Sequence, residues 1–169
     1  MTFTIRLPYA SERAWGTIQT RCVVKDSIEP CELGESDYER ILDLWKRSGL
    51  NSRAEGRDSA AAFAHQMRWG VQRVTGLREG GRLVAVTILT HDGRKGWINR
   101  LAVDPAYRRR GLARRLIAEA ERWFGQELGL EVWAALIEQE NAASQALFES
   151  MGYGRHDLVY VSKRTRPGA

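Results

Sequence analysis

The chain contains 169 residues, of which 43% are hydrophobic and six are tryptophan, so it can bury the core of one domain. Its formal net charge is +5 and its arginines are spread out, which favours a local anionic ligand over a nucleic-acid surface. Cys22 and Cys31 lack CxxC or paired-histidine spacing, which argues against a disulfide framework or a metal site and indicates free, cytosolic thiols. No apolar run approaches the length of a membrane span, and residues 1–6 lack a signal pattern, so we expect a cytoplasmic protein.

The first 27 residues differ from the rest of the chain. Their hydrophobic periodicity is broken, apart from a short alternating piece at 3–7, and regular patterns begin near Ile28. We therefore divide the chain into an N-terminal arm or extension at 1–27 and a single domain at 28–169. A poorly ordered terminus is the alternative explanation of the arm.

The next segments predict a strand and two helices. The strand at 28–33 precedes Ser36 and Glu39, which have the spacing of a reciprocal capping box and therefore predict the start of a helix. An exposed polar loop is predicted at 51–58, and an alanine-rich second helix follows at 59–67.

The middle of the chain predicts three strands. Those at 71–78 and 82–90 flank the turn Glu-Gly-Gly at 79–81 and form a hairpin. The second of them is apolar on both faces, which places it in the middle of a covered sheet. A third strand is predicted at 96–103, after a turn at 91–93.

The turn after this third strand has the layout of an anion site. Residues 104–111 read Asp-Pro-Ala-Tyr-Arg-Arg-Arg-Gly, and an amphipathic helix follows with an apolar stripe at 112–124 that Gly125 or Gly129 can end. The first N–H groups of a helix are unpaired and lie at the positive end of its dipole, so they can bind a phosphate. The three arginines add positive charge there.

The remaining segments complete the fold. They predict a strand at 131–137, a helix at 141–150 with Gly152 beyond its end, and a closing strand at 157–163. The order of elements predicts an α/β (α+β) fold, in which a mixed, mostly antiparallel sheet is covered by helices on both faces.

Two segments carry a resemblance to a known family. Residues 108–113 (RRRGLA) resemble the Arg/Gln-x-x-Gly-x-Gly/Ala signature of the GNAT superfamily of acetyl-coenzyme A dependent N-acetyltransferases. Residues 141–153 (NAASQALFESMGY) resemble its second signature, at the expected distance downstream. The resemblance covers 28–163, and within the superfamily the turn HDGRKGW at 91–97 is most similar to the bacterial YpeA-like branch.

The resemblance implies acetyl-coenzyme A as co-substrate and no metal. Backbone N–H groups from Arg109 to Arg114 would hold the pyrophosphate, and a side chain at Gly111 would push the backbone away from it. Backbone groups of Leu101 and Val103 would bond the pantetheine arm, and the N–H of Leu101 would also stabilise the oxyanion. The implied cofactor-binding positions are Leu101, Ala102, Val103, Arg108, Arg109, Arg110, Gly111, Leu112, Ala113, Arg114, Asn141, Ser144 and Phe148.

The helix of the second signature has two faces with different expected roles. Asn141, Ser144 and Phe148 share the face that the resemblance assigns to the cofactor, and Asn141 is also well placed as an N-cap. The other face, expected in the core, carries Ala143, Leu147 and Met151. Many family members have a tyrosine general acid where this chain has Phe148, so the thiolate leaves unaided or takes its proton from Tyr153 or Tyr160.

The general base is the second departure from the family. Some members use a glutamate on the strand that precedes the first signature, whereas residues 97–101 contain no carboxylate. Asn99 could orient a water, and Glu138 could receive the proton through one. Without a strong base, an α-amine with a pKa of about 8 is a better acceptor than a lysine side chain near about 10.4.

Together these features predict an acyl-coenzyme A dependent N-acyltransferase in which a bound primary amine attacks the thioester directly in a ternary complex. One alternative is a protein N-terminal acetyltransferase of the ribosomal-protein-alanine type. Another, from a different class, is a coenzyme A binding regulatory module with little turnover. The expected partners are acetyl-coenzyme A and an amine acceptor, and the chain is either a monomer or a homodimer.

Overall fold

The computed structural model describes residues 27–165, which form a five-stranded sheet with four helices. The strands are β1 (Ile28–Leu33), β2 (Gln72–Glu79), β3 (Arg82–His91), β4 (Gly96–Val103) and β5 (Trp133–Ala134). The helices are α1 (Tyr38–Ser48), α2 (Ala60–Arg68), α3 (Leu112–Arg122) and α4 (Ala142–Glu149). Within this range no helix is long and apolar enough to cross a bilayer. The predicted arm falls almost wholly on residues 1–26, outside the described residues.

The sheet has the strand order β1-β2-β3-β4-β5. Neighbouring strands are antiparallel except β4 and β5, which are parallel. The predicted hairpin is β2 and β3, and β3 lies in the middle of the sheet, as its apolar residues on both faces require. The prediction of a mixed, mostly antiparallel sheet is confirmed.

Helices pack on both faces of this sheet. On one face, Trp45 of α1 and Phe63 of α2 are buried in a cluster with Val86 of β3. On the other, Ile117 of α3 is buried in a cluster with Ile98 of β4. Each fully buried side chain of this size contributes about 1.5–3 kcal/mol relative to exposure. The two clusters hold β3 and β4 rigidly between the helices.

The start of α1 differs from the prediction based on Ser36 and Glu39. The reciprocal bonds are made instead by Gly34 and Asp37: the N–H of Gly34 donates to Asp37 Oδ2 at 3.2 Å, and the N–H of Asp37 donates to the Gly34 carbonyl at 3.0 Å. Asp37 is buried and also accepts from Arg78 of β2 at 2.7 Å. These bonds close a 3-10 turn at Glu35–Asp37, and Asp37, the residue before α1, is held by a partner from a distant strand.

The other helix ends follow their predicted signals. Ser59 caps α2, where its Oγ accepts the N–H of Ala62 at 3.3 Å. Beyond α3 the chain makes a π-helical turn at Trp123–Glu127, and Gly129, in the left-handed region at φ 65°, follows it. Of the two glycines predicted to end α3, Gly129 is the one in a helix-ending conformation.

Two strand predictions fail near the end of the chain. Of the strand expected at 131–137, only Trp133 and Ala134 pair, with Gly96 and Trp97 of β4. The closing strand expected at 157–163 is wrong for this structure, because those residues have no strand conformation and are exposed. Strand pairing requires a partner edge, which a pattern of apolar residues does not by itself provide.

Candidate functional site

The sheet opens where β4 and β5 separate. Their parallel pairing is confined to Gly96 and Trp97, and the N–H of Gly96 donates to the Val132 carbonyl at 3.0 Å. From Ile98 to Val103, the edge of β4 that faces β5 has no strand partner among residues 27–165. This leaves a wedge-shaped opening beside the second half of β4.

A β-bulge lies in β4 at this opening. Ala102 is opposite Val86 and Asn99 is opposite Ile88, so two residues of β4, Arg100 and Leu101, face the single Thr87 of β3. Arg100 adopts the left-handed region with φ 53°. Because of the bulge, Ile98 and Leu101 both pack in the cluster with α3, although they are three residues apart.

After the bulge, the main-chain N–H groups of β4 alternate between the two edges of the strand. The N–H of Asp104 donates to the Val84 carbonyl of β3 at 2.9 Å. Since successive residues of a strand direct their N–H groups to opposite edges, those of Val103 and Leu101 point away from β3, toward the opening. The Val103 carbonyl accepts from Ser48 Oγ at 3.2 Å.

Asp104 organises the turn between β4 and α3. It is only 3% exposed, and its carboxylate accepts the N–H of Ala106 at 3.0 Å and the guanidinium of Arg82 at 2.9 Å. Arg47 lies at 3.4 Å from the same carboxylate. Burial by itself would raise the pKa of Asp104, but the hydrogen bond from Ala106 and the two arginines hold that pKa below its usual value.

The three consecutive arginines of this turn are all exposed, and two of them have partners in the protein. Arg108 donates to the Ser48 carbonyl at 2.9 Å and so caps the end of α1. Arg110 lies 4.8 Å above the ring of Tyr107. Arg109 is exposed and its backbone has φ 63°. Two of the three side chains therefore help to shape the turn.

Gly111 begins α3 and shapes its N-terminus. It has φ 77° and ψ 7°, and a Cβ built on it meets no atom within 4 Å. The first hydrogen bond of the helix runs from the Arg115 N–H to the Gly111 carbonyl at 3.0 Å. The N–H groups of the first helical turn, from Leu112 to Arg114, thus lie at the helix start, where a phosphate binds well. A side chain at Gly111 would project into open space.

The helix α4 corrects one expectation, that for Ala143. Asn141 caps it, with Oδ1 accepting the Ser144 N–H at 3.1 Å. Phe148, expected on the cofactor face, is 5% exposed and packs edge-on against Tyr153 with ring centroids 4.9 Å apart. Ala143, expected in the core, is exposed. Leu147 and Met151 pack against the core as expected, so the buried side of α4 is broader than the pattern indicated.

The helix α4 is joined to α3 by an arginine with a predicted phosphate role. Arg114 donates to Ser150 Oγ at 2.7 Å, at the C-terminal end of α4. This bond ties the N-terminal end of α3 to the second signature segment. The side chain of Arg114 thereby has a structural partner in the protein.

The candidate proton-transfer groups lie on different elements. Asn99 donates through Nδ2 to Thr90 Oγ1 at 3.0 Å and to the Trp97 carbonyl at 3.3 Å. Glu138 is exposed beyond β5, and no hydrogen bond joins it to Asn99 within residues 27–165. The Tyr153 hydroxyl is buried, and burial together with the nearby Glu121 raises its pKa. Tyr160 is exposed.

Sequence reasoning missed an ion pair beside the bulge. Arg100 donates to Asp58 Oδ2 at 2.5 Å and to the Asn51 carbonyl at 2.6 Å, and its guanidinium lies 5.4 Å from the ring of Trp45. Asp58 also accepts the N–H of Arg53 at 2.8 Å. The loop expected to be an exposed polar connection is thus fastened to β4 at both ends. The three-residue spacing of Ile98 and Leu101 was the sequence signal for this bulge.

A separate cavity of about 330 Å³ lies between β1, β2 and α3. Cys31, Thr75 and Leu116 line it, and none of the predicted site residues does. The opening beside β4 and the helix start at Gly111 therefore form a different region of the molecule.

A model of the acetyltransferase (GNAT) family matches residues 38–153, and the chain belongs to this family. It is an N-acetyltransferase whose acyl donor is acetyl-coenzyme A. The main-chain donors of β4 and the glycine-headed start of α3 fit such a ligand, because both present N–H groups to groups that accept hydrogen bonds.

Solved structures with the same fold include several acetyltransferases. One is AAC(6')-Iy in complex with the bisubstrate analogue CoA-S-monomethyl-acetylneamine, with 19% identity, a TM-score of 0.68, and coverage of 82% of this chain and 99% of that one. The PaiA N-acetyltransferase from Thermoplasma acidophilum in complex with coenzyme A has 18% identity and a TM-score of 0.70. The match covers 79% of this chain and 93% of that one. A ribosomal-protein-alanine N-acetyltransferase from Brucella melitensis biovar Abortus 2308 has 17% identity and a TM-score of 0.63. The match covers 82% of this chain and 99% of that one.

Proposed function

We propose that this enzyme transfers acetyl from acetyl-coenzyme A to a primary α-amine, or to a small weakly basic amine, by direct attack in a ternary complex. The observation that carries the proposal is the pair of N–H groups at Leu101 and Val103, which point into the opening between β4 and β5. The same strand continues into the phosphate-binding start of α3, so one continuous segment offers groups for both ends of the donor.

In this proposal the donor is bound mainly by backbone atoms. The N–H groups from Gly111 to Arg114 hold the pyrophosphate, and Val103 bonds the pantetheine arm as a neighbouring strand would. The N–H of Leu101 points at the thioester carbonyl and stabilises the negative charge that develops on its oxygen. Arg108 and Arg110 support the turn through Ser48 and Tyr107.

Asn99 and Glu138 are the proposed proton-handling groups. Both amide hydrogens of Asn99 are donated within the protein, which leaves Oδ1 to accept from a water or from the attacking amine. Glu138 then receives the proton through water. Glu138→Gln should lower kcat/KM most at low pH, where more of the amine is protonated, and an unchanged pH profile would remove Glu138 from the mechanism.

The charge of the acceptor side supports an acceptor with few positive charges. The loop at 51–58 carries two arginines and two carboxylates. One of these carboxylates, Asp58, is neutralised by Arg100. A surface without excess negative charge has little attraction for a polycation such as an aminoglycoside. This balance favours an α-amine over a polyamine.

A protein N-terminus is the second candidate acceptor. It is supported by the absence of a strong base on β4, since a terminal α-amine has a pKa of only about 8.

We also propose, from the turn at 91–97, that the chain belongs with the YpeA-like branch. The free thiol of Cys31 supports a reducing, cytoplasmic setting, and we propose a homodimer as the working assembly.

The acceptor is tested with two matched peptides and one aminoglycoside. One peptide has a free α-amine and no lysine, and the other has a blocked α-amine and a single lysine. Release of coenzyme A thiol should give a kcat/KM at least about tenfold higher for the first peptide, because near neutral pH a far larger fraction of an α-amine than of a lysine side chain is unprotonated. Equal or faster transfer to the lysine peptide or to the aminoglycoside would overturn the proposed acceptor class.

A further inference from the structure

Arg100 has a backbone conformation that its residue type does not favour. Its φ is 53°, in the left-handed region, where the Cβ of an arginine crowds its own backbone. It lies in the bulge of β4, opposite Thr87 of β3. A left-handed residue other than glycine persists within a strand only where the surrounding structure holds it. The contacts of Arg100 therefore hold the bulge.

The guanidinium of Arg100 is held from outside the sheet, by the loop at 51–58 and by α1. It donates to Asp58 Oδ2 at 2.5 Å and to the Asn51 carbonyl at 2.6 Å, and it lies 5.4 Å from the ring of Trp45. The side chains of Arg100 and Asp58 are only 18% and 12% exposed. An ion pair this buried resists separation, because either charge left alone would be poorly solvated.

Asp58 is itself fixed in position. Its carboxylate also accepts the N–H of Arg53 at 2.8 Å, and its carbonyl accepts from the hydroxyl of Tyr38 at 2.9 Å. Tyr38 is buried at the start of α1, in the same cluster as Trp45. The carboxylate that holds Arg100 is thus attached to a packed helix as well as to its own loop.

The sheet holds the other side of the bulge. Thr87 is fully buried, and its hydroxyl donates to the Asn99 carbonyl at 3.0 Å. This bond restrains the peptide that precedes Arg100, while the ion pair with Asp58 restrains the side chain of Arg100. The next peptide along the chain joins Arg100 to Leu101.

That peptide carries the N–H that the proposed mechanism assigns to the oxyanion. Because a peptide unit is planar, the dihedral angles of Arg100 set the direction of the Leu101 N–H. Relaxation of Arg100 to the extended conformation usual in a strand would rotate this plane. An oxyanion donor is effective only if it already points at the place where the negative charge develops.

We infer that Arg100 is a positioning residue: its ion pair with Asp58 holds the bulge in the left-handed conformation and so aims the Leu101 N–H at the thioester oxygen. The inference rests on the proposed function, which assigns this N–H to the oxyanion. It adds that the loop at 51–58, on the acceptor side, also controls the rate of the chemical step at the donor.

Two substitutions that differ only by a Cβ test this role. Arg100→Gly and Arg100→Ala lose the same side-chain contacts, but glycine adopts a φ of 53° without the steric cost that alanine has. At saturating amine, single-turnover acetyl transfer should be fastest in the parent and at least about fivefold slower in the alanine variant than in the glycine variant. The dissociation constant for coenzyme A, which lacks the thioester carbonyl, should be the same for both variants. Equal transfer rates in the two variants would overturn the inference.

Asp58→Ala tests whether the ion pair acts through the backbone of Arg100. In the parent it should slow single-turnover transfer at saturating amine about tenfold, because the left-handed residue loses its support. In an Arg100→Gly background it should slow transfer less than about twofold, since no guanidinium remains to be held. Equal slowing in the two backgrounds would rule out this route from Asp58 to the bulge.

A crystal structure of the Arg100→Ala variant gives the backbone conformation without an activity assay. Residue 100 should leave the left-handed region, and the Leu101 N–H should turn away from the opening. A φ that stays positive would contradict the inference even if transfer is slow. If the parent transferred acetyl to no amine, the proposed function would fail, and this structure would still decide whether the ion pair holds the bulge.

Discussion

Replacement of Gly111 by glutamate separates the anion-binding role of this residue from its role in folding. Gly111 has φ 77° and a Cβ there meets no protein atom within 4 Å, so Gly111→Glu fits the folded chain without a clash. The backbone strain of a left-handed residue costs about 1–2 kcal/mol. The new carboxylate, however, enters the space proposed for the pyrophosphate.

The expected loss of binding follows from the charge alone. A carboxylate about 6 Å from one phosphate charge raises the energy by about 3 kcal/mol at an effective dielectric constant of about 20. This energy corresponds to about a hundredfold increase in the dissociation constant for coenzyme A. Displacement of the backbone away from the phosphate would add to this loss.

Gly129→Glu is the matched control. Gly129 also has a positive φ, 65°, and also meets no atom within 4 Å, but it follows the far end of α3. Urea unfolding should give similar losses of stability for the two variants, whereas calorimetric titration with coenzyme A should show weakened binding only for Gly111→Glu. Coenzyme A binding by Gly111→Glu within threefold of the parent would refute the pyrophosphate assignment.

Three further changes test the fold around the site. Asp104→Asn should lower the free energy of unfolding by about 2 kcal/mol at pH 7. The folded state lowers the pKa of Asp104, so this contribution is present above about pH 4 and is lost as pH falls through the folded value. Urea unfolding of parent and variant should therefore converge as the pH is lowered, and a constant gap would contradict the assignment. Gly96→Ala places its Cβ 2.6 Å from Phe124 Cδ1 and should lower the free energy of unfolding, measured by thermal unfolding, by about 1–3 kcal/mol. Gly34→Ala, whose Cβ meets nothing within 4 Å, should change that free energy little. Equal losses for the two variants would argue against the close contact. Asp58→Ala releases the loop at 51–58 from Arg100. In steady-state assays it should raise the KM for the amine about tenfold and leave the KM for acetyl-coenzyme A unchanged. A rise in both KM values would place the loop in donor binding instead.

The elements that local patterns determine were predicted closely. The strand expected at 96–103 is β4 with the same limits. The apolar stripe from Leu112 to Phe124 is buried except at Ala113, which is partly exposed. In both cases the side chains themselves dictate which face is covered, so neighbours in sequence carry enough information.

The errors occur where a distant partner decides. The capping pair of α1 shifted from Ser36 to Gly34 and Asp37 because Asp37 is held by Arg78, which is 41 residues away. On α4, Ala143 was expected in the core but is exposed, whereas Phe148 packs against Tyr153, which follows the helix. Neither contact leaves a trace in the short-range pattern of the sequence.

The bulge in β4 lies between these cases. The left-handed conformation of Arg100 follows no residue preference, since glycine, asparagine and aspartate are the usual residues there. Its ion pair with Asp58 and its position over Trp45 hold it in place. A strained residue that several contacts support is a feature that sequence reasoning finds only through the break it makes in the alternation of apolar residues.

The donors that face the opening of β4 are main-chain atoms, and this affects how the protein can change over generations. A single substitution can remove a catalytic carboxylate or hydroxyl, but it cannot remove a backbone N–H unless the new residue is proline. Nearly every side chain along this edge can therefore vary while Leu101 and Val103 keep their donors. In the proposed mechanism, changes in the loops can therefore give the chain a new acceptor while the donors on the strand are inherited intact.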